Sequence, residues 1–460
     1  MSIAQHLSIT FSHKRWRVLL LAVIVVYPVI GVVALRGDIA GGLTLSLLFD
    51  VVQLLLVEGA LALLYRSTSK EERDRYSLDT RFYLRRYRDE RHRFLALART
   101  PDGAVTALTG VPPEVVAGLL SPVPDDAATR GLVVSHSILE WAPPGAMSIA
   151  DVEFEVRDER YELPWVVGDG GIDTILRRFN AVDRHDYNGL TLATRGREER
   201  PGSFRLHFAQ SFYYNYLITN SLPELRLPGG LTYRDLLEPG PGLSELPTAL
   251  AENHLGMSCL LRTSDGHLVI PRRSEHTNVF KGQLSPSVSG VAGVGSCRDA
   301  DGGYSPLAWL ARELAEELPY LAVDDSTFPG GPRDHLARAR VLGMTRELRR
   351  CGKPELFFLL DLPVDAAHVR AVWARRGEGE AASAELATSI DHNENVDLSV
   401  VHEDRFLAGI STRVRHAGRR WRDRRAAFEA VFAHDGRTDV LSESLLANVL
   451  LYVRGRDAGW

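Results

Sequence analysis

The chain has 460 residues, 45% of them hydrophobic and 25% charged, which gives room for two to four compact units at roughly 100–200 residues each. That composition excludes a wholly disordered or collagen-like chain. With 54 Lys and Arg against 59 Asp and Glu, the net charge of −5 excludes a chain that grips polyanions over its whole surface and disfavours nucleic acid as a partner.

Residues 18–35, VLLLAVIVVYPVIGVVAL, carry no charge, and at about 1.5 Å per residue they nearly match a hydrocarbon core of roughly 30 Å. A second apolar stretch, residues 39–64, carries Asp50, Gln53 and Glu58 within one helical face, turned from lipid toward helix packing, homo-oligomer contacts or a polar path. Lys14, Arg15 and Arg17 precede the first stretch, and Arg66 and Lys70 follow the second. The positive-inside rule then predicts a two-span membrane hairpin over residues 1–65, with both chain termini in the cytoplasm. Residues 66–100 read as a basic juxtamembrane helical linker. Eleven Arg or Lys stand against six Asp or Glu between 66 and 99, an excess that favours anionic lipid by ~1 kcal/mol per well-placed charge. The cysteines, Cys259, Cys297 and Cys351, are far apart and show no metal-binding spacing, which suits a reducing compartment.

Residues 101–245 are broken by Pro/Gly-rich turns at 143–145, 228–230 and 238–242. Short apolar pieces between them, such as 131–134 and 163–167, predict an α+β region, and the aromatic-rich residues 203–220 predict core. No catalytic or ligand-binding motif stands out there. Ser135-His136-Ser137 and His254 show no partner that would make a nucleophile and base pair.

The informative part is 246–460. Residues 258–270 predict a β-hairpin closed by Asp265-Gly266, ended by Pro271-Arg272-Arg273-Ser274. Residues 285–295, rich in Gly and Ser and including Gly290, predict a loop that passes close to a ligand. Ser305-Pro306 supplies an N-cap and first-turn proline for a helix whose Leu307, Leu310, Leu314 and Leu318 fall on one side. On that helix Glu313, Glu316 and Glu317 crowd one face at i, i+3 and i+4. Like charges so close call for a cation, and Mg²⁺ or Mn²⁺ is the hard divalent ion that carboxylate oxygens suit.

Hairpin, Arg-Arg-Ser, glycine loop, Ser-Pro and Arg-Glu-Leu-x-Glu-Glu follow the order found in Nudix hydrolases, and the chain resembles that family over about residues 250–452. The resemblance implies an α/β fold, an α/β/α sandwich around a mixed sheet, and Mg²⁺-dependent cleavage of a nucleoside diphosphate linked to another moiety. It implies metal ligation and base catalysis by Glu313, Glu316 and Glu317, oriented by Arg312, with Arg272, Arg273, Gly290 and Glu394 facing substrate. The pattern departs from the family's at three places: Tyr304 replaces the first Glu, Pro319 the final Gly, and about eight extra residues separate Gly290 from the helix. These departures, with the acidic residues of the second apolar stretch, motivate an alternative to hydrolysis, a domain that senses a nucleotide-type ligand and controls the membrane hairpin.

Overall fold

The computed structural model describes residues 80–100, 103–111, 131–167, 188–221, 223–224, 231–274, 282–375, 395–417 and 425–459. Two compact units divide the chain: residues 1–78 with 165–187, of which only the short 3-10 turn Trp165–Val167 is described, and residues 79–164 with 188–460, which hold all the described strands.

In the second unit, helix α1 (Thr80–Arg86) leads into β1 (Arg93–Arg99), β2 (Val105–Val111) and β3 (Leu132–Trp141). Next come β4 (Val152–Arg160), β5 (Leu190–Arg200) and β6 (Ser203–Phe212), with α2 (Tyr213–Tyr216) and α3 (Tyr233–Leu237). The hairpin follows as β7 (Gly256–Arg262) and β8 (His267–Arg273), then β9 (Val288–Val291). Helices α4 (Pro306–Glu317), α5 (Pro319–Ala322) and α6 (Pro332–Leu336) precede β10 (Arg340–Glu347) and β11 (Lys353–Asp361). The chain closes with α7 (Ala366–Ala374), β12 (Asn395–His402), α8 (Glu403–Gly409), β13 (Ile410–Ala417), β14 (Arg425–His434), β15 (Arg437–Val440) and α9 (Glu443–Asp457).

One large mixed sheet organises the unit, in the order β12-β8-β7-β11-β10-β3-β1-β2, with β9 also paired to β7. Only β7 and β11 run parallel in it, aligned from Gly256 with Glu355 to Arg262 with Asp361. Smaller sheets β4-β6-β5 and β13-β14-β15 flank it. The fold is therefore mixed α/β, as expected at that level.

Alternation along the central strands separates two cores. Met257, Cys259 and Leu261 of β7, with Leu356, Phe358 and Leu360 of β11, face Trp309, Leu310 and Leu314 of α4. Leu260, Phe357 and Leu359 face the other way, against Leu445, Leu446, Val449 and Leu450 of α9. Both faces of β11 are thus covered, which is why its sequence is a continuous apolar run from Leu356 to Leu360. At ~1.5–3 kcal/mol for each fully buried apolar side chain, that run alone contributes on the order of 10 kcal/mol of gross burial.

Three expectations change here. Among the described residues no helix is long and apolar enough to cross a membrane. Even α9, at 15 residues, falls short of the ~20 a span requires and is packed inside the sheet's second core. This corrects the expected two-span membrane location with cytoplasmic termini. The residues expected to span, to pack in oligomers through Asp50 and Glu58, and to begin the basic lipid-facing linker lie outside the described residues. Residues 93–99, expected as the end of a helical linker, are strand β1, because Phe94, Leu95, Ala96 and Leu97 are all buried in the sheet. Within the predicted glycine loop, residues 288–291 form β9, paired from Cys259 with Val288 to Gly256 with Val291.

Candidate functional site

Helix α4 is fixed by its cap. The Ser305 hydroxyl accepts from the Leu307 N–H at 3.1 Å and the Ala308 N–H at 3.5 Å, and Pro306 occupies the first turn. Trp309, Leu310 and Leu314 are fully buried, so the helix's acidic residues are distributed by what remains of its circumference. Glu313 is nearly buried and accepts from the Trp309 indole N–H at 2.8 Å. Glu317 accepts from Ser289 of β9, through the backbone N–H and the hydroxyl, each at 3.2 Å. Glu316 pairs along the helix with Arg312 at 2.7 Å on a half-exposed face.

Strand β9 lies against this helix with almost no clearance. A Cβ built on Gly290 would come within 2.1 Å of the Glu313 Cδ, so glycine is what lets strand and carboxylate approach. Arg273, at the end of β8, donates from Nη1 to the Ser289 hydroxyl at 3.3 Å. Its neighbour Arg272 points elsewhere, to Asp439 at 2.6 Å and to the Gly282 carbonyl at 3.2 Å. Glu394 lies outside the described residues. The fold therefore brings Arg273, Ser289, Gly290, Glu313 and Glu317 together and leaves Arg312, Glu316 and Arg272 in other partnerships.

This arrangement does not fit the expected Mg²⁺ or Mn²⁺. Among the described residues no three His, Cys, Asp or Glu side chains gather closely enough to hold a metal ion. The reason lies in the donors: Glu313 is taken by an indole, Glu317 by a serine and Glu316 by a guanidinium. The metal-binding expectation is corrected accordingly.

A second group, which the sequence did not reveal, sits at the end of the sheet where β7 and β11 begin. Lys353 is buried with its Nζ 3.8 Å from Glu355 Oε2, and Glu355 Oε1 accepts from the Ser258 hydroxyl at 2.6 Å. Gly256 provides the room, since a Cβ there would lie 2.2 Å from the Nζ. Burial brings the Lys353 ammonium down to about 8, with Glu355 resisting the shift. His254, stacked on Tyr216 at 3.7 Å between centroids, is held well below its usual range by burial and by the Lys353 and Arg350 charges. Burial pushes Glu252 up to about 7 against hydrogen bonds from the His254 N–H and the Thr191 hydroxyl. The signal was present: Lys353 and Glu355, two residues apart on one strand face, head an entirely apolar run.

On β3, His136 bridges Arg349 and Glu443. A guanidinium only donates, so Arg349 Nη2 at 3.2 Å makes His136 Nε2 the acceptor and its Nδ1–H the donor to Glu443 Oε2 at 3.1 Å. Ser135 and Ser137 also donate their hydroxyls to Glu443. Burial raises the Glu443 carboxyl, but His136, Arg349 and Ser135 outweigh it and hold the group below its ordinary range. With each hydroxyl proton committed to the carboxylate, neither serine is activated as a nucleophile.

No family model matches the chain, which overturns the resemblance to Nudix hydrolases, and no curated protein matches it. Among solved structures, the crystal structure of DR0079 from Deinococcus radiodurans is similar at 20% identity, over 33% of this chain and 68% of that one, with a TM-score of 0.20. The case for function rests on the geometry around Ser289.

Proposed function

We propose that the described unit is a binding domain for a nucleoside diphosphate-type small molecule, which it holds without turning it over. One observation carries this reading: the Ser289 hydroxyl stands 3.3 Å from Arg273 Nη1 and 3.2 Å from Glu317 Oε1. A guanidinium fork suits a phosphate, and a carboxylate suits ribose hydroxyls. Both ends of such a ligand therefore meet a complementary group beside one short strand, where Gly290 adds no side chain. Support for binding over cleavage comes from the carboxylates, which already accept from Trp309 and Ser289 and so lack the poise of a free general base.

The test is calorimetric titration of the purified chain with ADP, ADP-ribose and UDP-glucose, followed by chromatography of the ligand. Saturable binding with the ligand recovered intact is expected, weakened about tenfold, the equivalent of ~1.4 kcal/mol, by Arg273→Gln or by Glu317→Gln. Lack of binding by all three compounds overturns the proposal, and so does a cleavage product whose formation stops in Glu317→Gln.

A further inference from the structure

At the opposite end of the sheet, where β7 and β11 finish, a cavity of about 50 Å³ lies between the strands and the last turns of α9. Its apolar wall includes Val341 and Leu359, and its polar side chains are Arg262, Arg340, Arg456 and Tyr452, three guanidiniums and a phenol. At ~10–15 Å³ per water, the space holds a few waters or one tetrahedral oxyanion.

Arg262 and Arg340 share one carboxylate, Asp361, at 2.7 and 2.9 Å. Arg262 Nη1 also reaches the Tyr452 oxygen at 3.1 Å and Glu403 at 3.4 Å. Arg456 donates Nη2 to the Val105 carbonyl at 3.1 Å and to Asp457 Oδ1 at 3.4 Å, and the Tyr452 hydroxyl donates to Glu403. Asp361 is the most exposed of the carboxylates that partner these guanidiniums, its side chain being 48% exposed, so water can reclaim it. Three guanidiniums cannot lose their charge. A ligand that brings several acceptor oxygens to such a space is matched to it, and planar guanidiniums prefer a phosphate.

We infer that this cavity is a phosphate-binding site in which the oxyanion displaces Asp361 as the joint partner of Arg262 and Arg340. The site is separate from the Ser289 strand, and β9 pairs with the opposite half of β7. Phosphate chemistry has two sources, the free ion and the terminal phosphate of a larger molecule.

The full chain is titrated with inorganic phosphate and with methyl phosphate at low ionic strength, by calorimetry. Saturable binding is expected. Both ligands bind if a terminal phosphate is accepted, and inorganic phosphate alone if the free ion is the ligand. Asp361→Asn removes the competing carboxylate and tightens binding about tenfold, whereas Arg340→Gln weakens it by about the same factor. Ala146→Phe obstructs the cavity from an exposed position without altering any charge and abolishes binding, with the fold checked by circular dichroism. Arg273→Gln leaves the titration unchanged, so failure here and failure of the Ser289 site are told apart. Absence of saturable phosphate binding overturns the inference, as does affinity unaltered in both Asp361→Asn and Ala146→Phe.

Discussion

Lys353 is one of only four lysines in the chain, and it is buried in the central sheet. Its ammonium, brought down to about 8 by burial, releases its proton well before the unfolded chain's lysine does at ~10.4. Between those values the unfolded state binds more protons, so stability through this group rises with pH. Below about 8 both states are charged and the cost of burial is felt in full. Urea midpoints at pH 8, 9 and 10 should therefore climb in the wild type relative to Lys353→Met. Tyrosine and cysteine titrations are common to both proteins and cancel in that difference, and parallel profiles would contradict the assignment. The sequence offers the pair Lys353 and Glu355 but not their burial, because burial is decided by β7, whose Gly256 and Ser258 lie roughly 100 residues earlier. For the same reason Glu316 reads from sequence as one of three equivalent carboxylates. Its pairing with Arg312 is settled by which side of α4 the core claims.

At the scale of elements, local signals were read well. The Ser305 cap, Pro306 and the leucine spacing specify α4, and Asp265-Gly266, with Gly266 at φ +78°, closes β7 onto β8. What escaped were β1, read as the end of a helical linker, and β9, since Gly and Ser carry little strand propensity and only its pairing with β7 extends it. That pairing yields a prediction about the contact between strand and helix. Gly290→Ala must drive the Glu313 carboxylate away from the Trp309 indole, destabilising the fold by about 1–3 kcal/mol. The double variant with Glu313→Ala should recover much of the loss, because the collision is then gone. Denaturant unfolding of the two single variants and the double variant measures this coupling, and strict additivity would refute it.

Across the whole molecule, the central sheet draws on widely separated parts of the chain. β3 pairs with β10, from Trp141 with Met344 to Ser137 with Glu347, and Leu95, Leu97 and Val133 share a core with α9. Residues 246–460 expressed alone should accordingly lose cooperative unfolding, while co-expression with residues 79–245 should restore it. A cooperative melt of the shorter piece at the full chain's midpoint would show that β1 and β3 are dispensable. No spacing rule reveals such a union from sequence, because roughly 200 residues lie between the paired strands. The distance also matters during synthesis. At typical elongation rates β3 leaves the ribosome roughly 10 to 40 s before β10 exists to cover its open edge. In that interval Ser135, His136 and Ser137, with Glu140 near the strand's end, keep part of a largely apolar strand wettable. The polar run that later satisfies Glu443 thus serves the nascent chain first, as a guard against premature association.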